Sequence, residues 1–180
     1  MGSRPLLVVV SGLPATGKTR LARTLAQSLC LPLISKDDYK EILFDRLGAE
    51  TPNLGPTSFE LMWHTAEALL AARLSLVLET HFYHDPSTPR LRELCNRYKA
   101  LPVQIHLKAS LEVIQARAAA RIASGERHAG HVDKLRFDMP LPPQAPLELG
   151  GPLLVLDTTD FSIFDVGLIL AFVRAEQEAK

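Results

Sequence analysis

A chain of 180 residues, 47% of them hydrophobic, can bury one substantial core, and a single domain spanning 1–180 is expected. Lysine plus arginine and aspartate plus glutamate total 20 each, so no net charge gathers a nucleic-acid strand or an acidic membrane surface, and any anion site must be local. Cys30 and Cys95 lie far apart in helical patterns and no apolar run is long enough to span a bilayer, which argues against a disulfide framework or a membrane anchor and points to a reducing, cytoplasmic setting.

Pro5 to Ser11 is a valine-rich apolar run, the mark of a strand covered on both faces. After a glycine-containing loop, Leu21, Leu25 and Leu29, with Ala22 and Ala26 beside them, make one apolar helical face. Leu31 to Ser35 reads as a second strand, Asp37 to Leu47 as a helix, and Thr51 to Pro56 as a turn-rich loop before a helix that Ser58 caps and that runs to about Arg73. Leu74 to Glu79 is a strand, Ser87 to Lys99 a helix, Pro102 to Leu107 a strand and Ser110 to Ile122 an alanine-rich helix. Leu153 to Asp157 is the last strand, and Ile163 to Glu178, with Ser162 as cap, the last helix. Ser124 to Gly151 lacks apolar periodicity and becomes proline-rich over 139–152, so a mobile surface loop is expected there. Five strands alternating with helices specify an α/β fold: a five-stranded parallel sheet between two helical layers, α/β/α, with a mobile lid at about 110–138.

Gly12-Leu13-Pro14-Ala15-Thr16-Gly17-Lys18-Thr19 fits the pattern of a phosphate-binding P-loop, Walker A, between a buried strand and an amphipathic helix. In that context successive N–H groups and the positive end of a helix dipole converge on an anion. Lys18 would lie against the β- and γ-phosphates of ATP, and the Thr19 hydroxyl would supply one oxygen to Mg2+.

Ser35-Lys36-Asp37-Asp38-Tyr39-Lys40 follows the second strand, so its acids face the ligand crevice at the carboxyl edge of the sheet. Here the sequence resembles the small P-loop kinases typified by polynucleotide 5′-kinases and zeta-toxin-like kinases, including predicted kinases of the AAA_33 type. In these an Asp-x-aromatic-basic element stands in this place. The resemblance implies that Asp37 accepts the proton of an acceptor hydroxyl and that Lys40 holds an acceptor anion or the phosphoryl group in transit. Asp37 as a helix cap and Asp38 as a first-turn acid is the competing reading. Glu79 stands where such proteins carry an acid near the magnesium ion, holding it directly, acting through a water as Asp37 could, or orienting substrate. His81 and His84 in the next loop read as solvated.

Arg117 and Arg121, four apart on one helix, share a face. By resemblance they close over the triphosphate; a solvated basic stripe is the alternative. Arg127, His128 and His131 resemble a lid element that contacts the acceptor or phosphate; His128 and His131 lack the partners of a zinc site. Thr158 could touch the base or belong to an ordinary turn. Met62 and Trp63 read first as core, and Arg90, Arg92, Arg97 and Lys99 as a solvated face.

The reading is an ATP- and Mg2+-dependent kinase acting on a small-molecule hydroxyl acceptor. A polynucleotide 5′-hydroxyl kinase or a nucleotide-sugar kinase is a variant, though neutral charge disfavours an extended strand grip. A regulatory ATPase or GTPase module is disfavoured because Ser35-Lys36-Asp37-Asp38 follows an early strand.

Overall fold

In the computed structural model, residues 4–125, 127–131, 144–161 and 165–178 are described. Strand β1 (Leu6–Gly12) is buried along its whole length because it bears a core on each face. Leu7 and Val9 point into a cluster with Met62, Trp63, Leu70 and Leu91. Leu6, Val8 and Val10 point into another with Leu21, Leu25, Ile105 and Val173. The period of two along the strand thus divides one apolar run between two layers.

The remaining elements are α1 (Lys18–Leu29), β2 (Leu33–Ser35), α2 (Lys36–Leu47), α3 (Leu54–Ala71), β3 (Leu76–Glu79), α4 (His84–Tyr98), β4 (Leu101–Lys108), α5 (Leu111–Ala123), β5 (Leu153–Asp157) and α6 (Val166–Glu178). The sheet is five-stranded, ordered β2-β3-β1-β4-β5, and every pairing is parallel. Helices α1 and α6 supply Leu21, Leu25, Ile169 and Val173 to one face, and α3 and α4 supply Met62, Trp63, Leu91 and Leu94 to the other. This is the expected three-layer architecture.

Several boundaries differ from the sequence expectation. Helix α3 begins at Leu54, so Ser58 is inside it, its hydroxyl donating to the Leu54 carbonyl. Pro56 lies in the first turn, where its missing N–H removes no helical bond, and a turn reading of Thr51–Pro56 overlooked that tolerance. Helix α4 likewise starts at His84, three residues early, with Pro86 in its first turn. Ser35 takes the N-cap position of α2 and Asp37 lies in the first turn, so the cap reading of Asp37 is corrected. Ser162 and residues 132–143, within the expected lid and proline-rich loop, lie outside the described residues. Among the described residues no helix is long and apolar enough to cross a membrane.

Candidate active site

The phosphate loop is shaped by left-handed backbone at three places: Gly12 (φ 141°), Ala15 (φ 63°) and Gly17 (φ 94°). At Gly12 a Cβ would lie 2.2 Å from the Leu107 carbonyl oxygen, so only glycine lets β1 turn out beside β4. At Gly17 it would meet the Phe161 ring at 2.5 Å. Gly17 is the N-cap of α1; it offers no capping side chain, and no acid stands in the first turn. The amide groups and positive dipole end of α1 are therefore left to an external anion, which fits a polyphosphate.

Lys18, 7% exposed, donates to the Leu13 carbonyl at 2.8 Å. Burial lowers its pKa, Glu79 and Asp37 oppose that, and Arg121 adds to it. The cation thus lies among two of the expected acids and one of the expected arginines. Glu79, 2% exposed, accepts from Ser35 Oγ at 2.9 Å and from Thr19 Oγ1 at 3.5 Å. Burial raises its pKa against the pull of Lys18 and the Ser35 bond. A threonine hydroxyl beside one carboxylate fits Mg2+, which takes few protein oxygens and completes its octahedron from waters and phosphates. No cluster of three His, Cys, Asp or Glu able to hold a metal occurs among the described residues.

On the α2 side, burial works to raise the Asp37 pKa, but Lys36 at 3.2 Å and then His131 overcome it and hold the carboxyl below its ordinary value. The structure thereby joins His131 to Asp37, with Nδ1 4.0 Å from Oδ1, while its Nε2 lies 2.8 Å from Glu41. His128 pairs with Asp45 at 3.1 Å and stacks edge-on against Phe44. Arg127 donates Nε to the His131 carbonyl. These three residues are bound to α2 or to one another. Lys40 is half-buried on the same helix.

The two arginines of α5 part company. Arg121 is exposed and lies near Lys18, whereas Arg117 donates to the Thr158 carbonyl at 2.6 Å and lies 4.1 Å from the centroid of the Phe161 ring. Its Nη1 is buried without a partner. Thr158 is fully buried, its hydroxyl directed to the Thr16 and Lys108 carbonyls at 2.9 and 3.1 Å. Its hydroxyl ties the loop after β5 to the phosphate loop.

Met62 and Trp63 are core, and Arg90 packs on Trp63 while pairing with Glu60. His81 is not merely solvated: its Nδ1 lies 3.2 Å from the Gly12 carbonyl. Sequence reasoning missed Ser11, Gln104 and His106, which form a buried polar chain beside the loop, and Phe161 over Gly17. The signal for the first group is a glutamine and a histidine two apart in an otherwise apolar parallel strand.

No curated protein matches the chain. The model of the AAA_33 family, an AAA domain, matches residues 7–141. A Chloroflexus aurantiacus protein with the provisional designation of kinase has a similar structure, with a TM-score of 0.86 at 39% identity, covering 96% of this chain and 98% of the other. A sugar kinase of Janibacter sp. gives 0.60 at 18% identity, covering 97% and 96%. An APS kinase of Mycobacterium tuberculosis in complex with AMPPNP and APS gives 0.58 at 18%, covering 97% and 98%. At that identity the last two share the fold. The chain belongs to the AAA_33 family and is a small P-loop protein of kinase type.

Proposed function

We propose that the protein is an ATP- and Mg2+-dependent phosphotransferase that moves the γ-phosphoryl group to a hydroxyl of a small-molecule acceptor. The observation that carries this reading is the convergence of Glu79, Asp37 and Arg121 on Lys18, next to an uncapped helix N-terminus. The kinase likenesses support it, one of them in complex with AMPPNP and APS.

In this reading the backbone of Gly12–Thr19 and the Lys18 ammonium hold the polyphosphate, and Arg117 and Thr158 shape the base side through the loop they anchor. Thr19 and Glu79 hold Mg2+, Glu79 directly or through a water; the ion, when bound, neutralises phosphate charge. Asp37 takes the acceptor's hydroxyl proton as that oxygen bonds to the γ-phosphorus and the bond to the bridging oxygen breaks, leaving the diphosphate. Arg121 neutralises charge on the transferring group. Lys40, Arg127, His128 and His131 border the acceptor on the α2 side. A cytoplasmic, single-domain enzyme is the setting proposed.

Transfer of the γ-phosphoryl from labelled ATP to a panel of alcohols, sugars and nucleosides tests the reading. Lys18→Ala should abolish transfer, and Asp37→Asn should keep calorimetric binding of AMPPNP with Mg2+ while losing most turnover. Normal turnover in Asp37→Asn removes the base, and absence of nucleotide binding in the unmodified protein removes the whole proposal. A polynucleotide acceptor would show affinity falling steeply with salt.

A further inference from the structure

In the sheet order β2-β3-β1, the middle strand separates the base from the phosphate loop: β2 leads to Asp37 at the start of α2, and β1 ends at Gly12. The chain leaving β3 therefore crosses the ground on which an acceptor must lie if its hydroxyl is to meet both Asp37 and the γ-phosphate. Residues 81–83 make that crossing.

Their side chains divide by direction. Phe82, 5% exposed, turns into the core, its ring centroid 6.1 Å from that of Trp63. His81 and Tyr83 turn the other way, and their rings meet edge to face at 5.0 Å. His81 Nδ1 lies 3.2 Å from the Gly12 carbonyl, so this outward side is the side of the phosphate loop. Tyr83 is also the N-cap of α4, and its carbonyl accepts from the Ser87 N–H at 3.0 Å, so a helix fixes its backbone.

From Tyr83 the contacts continue towards the base. Its ring lies 6.3 Å from that of Phe59 on α3, tilted by 52°. The Lys36 ammonium stands 5.4 Å from the Phe59 centroid and 3.2 Å from Asp37 Oδ1. The charge of Lys36 thus answers Asp37, while the aromatic face sets its position. Gly12, His81, Tyr83, Phe59, Lys36 and Asp37 form a continuous wall from the phosphate loop to the base.

One ring of that wall stays open. Tyr83 keeps 57% of its surface exposed although two other rings touch it. Those flanking rings restrict its rotation, so it offers a flat face already in place. Such a face favours a ligand ring, either the π face of a nucleobase or the CH face of a cyclic sugar. An open chain would make fewer contacts there and lose more rotational freedom on binding.

We propose that the acceptor is a ring-bearing alcohol whose flat ring packs on Tyr83 while its hydroxyl lies at Asp37, with Tyr83 and Phe59 as specificity-determining residues. The acceptor assignment rests on the phosphotransferase reading.

Three primary alcohols probe this seat on the full chain with AMPPNP and Mg2+: uridine with a planar base, methyl β-glucopyranoside with a saturated ring, and ribitol with an open chain. Ligand-observed NMR should rank at least one ring-bearing alcohol roughly tenfold tighter than ribitol. Uridine in front identifies a π face on Tyr83, and the glucoside in front a CH face. Intermolecular NOEs should join the bound ring to the Tyr83 ring protons. Tyr83→Ala should remove the margin over ribitol and Tyr83→Phe should keep it, with AMPPNP affinity unchanged in both. Should the alanine variant not fold, the ranking and the NOEs in the unmodified protein decide. Equal affinity for all three alcohols, a margin that survives Tyr83→Ala, or no binding of any probe overturns the seat. Failure of AMPPNP to bind while a ring-bearing probe still contacts Tyr83 overturns the phosphotransferase reading and leaves a ring-binding site. Transfer from ATP to ribitol as readily as to the ring-bearing alcohols overturns the seat and leaves that reading intact.

Discussion

The Thr158 hydroxyl reaches the Thr16 carbonyl at 2.9 Å, joining the end of β5 to the middle of the phosphate loop across 142 residues of sequence. Thr158→Val keeps the shape and leaves the Thr16 carbonyl unpaired in a buried place, which should cost about 1–3 kcal/mol in urea unfolding and weaken AMPPNP binding several-fold. Thr158→Ser should restore most of both.

Gly12→Ala should be far more damaging. The added methyl meets the Leu107 carbonyl oxygen at 2.2 Å, in a backbone region hostile to side chains. A loss on the order of 3 kcal/mol or more is expected by chemical denaturation, because two paired strands would have to separate.

Glu79→Gln keeps the side-chain shape but removes the carboxylate beside Thr19. The Mg2+ concentration needed to support AMPPNP binding should rise about 10- to 100-fold in a calorimetric titration. An unchanged magnesium requirement would remove Glu79 from the metal site.

The carboxyl of Asp37 is held below its ordinary value by Lys36 and His131 against the effect of burial. A depressed carboxyl is worth stability above its unfolded value of 3.8, and that contribution is lost as pH falls through the folded value. As a base it stays ionised into more acid solution, so the acid limb of transfer should lie low. Lys36→Met and His131→Ala each remove a lowering influence and should move that limb to higher pH; a limb that stays in place in both variants dissociates Asp37 from proton transfer.

Burial pushes the Cys95 thiol up to about 11, whereas Cys30 is exposed. Iodoacetamide at pH 8 should label Cys30 readily and Cys95 only when the protein unfolds, as peptide mass analysis would report.

The phosphate loop and the strands around it were legible because their information is contiguous: eight residues make the anion cradle, and short apolar runs make the buried strands. Asp37, Glu79 and Arg121 could be placed near Lys18 because each follows a strand or lies on a helix at the sheet's carboxyl edge. The tie from Thr158 to Thr16 could not be read, since the direction of its hydroxyl depends on a loop brought from the other end of the chain. His106 was hidden for a related reason. Its ring acquires meaning only through Ser11 on the neighbouring strand and Gln104 two residues back, and in sequence it looks like one polar interruption of a core strand. His128 and His131 carried a motif but not their partners Asp45 and Glu41, which only the fold supplies.

Strand β1 assigns alternate residues to opposite layers and then delivers Gly12 to the loop. Parity along those few residues is therefore a constraint of its own: removing one of them would exchange the two sets of side chains and aim the following turn at the wrong side of the molecule. Length changes in this stretch can be tolerated only in steps of two, and even then the cradle would shift along its neighbours by a full pleat.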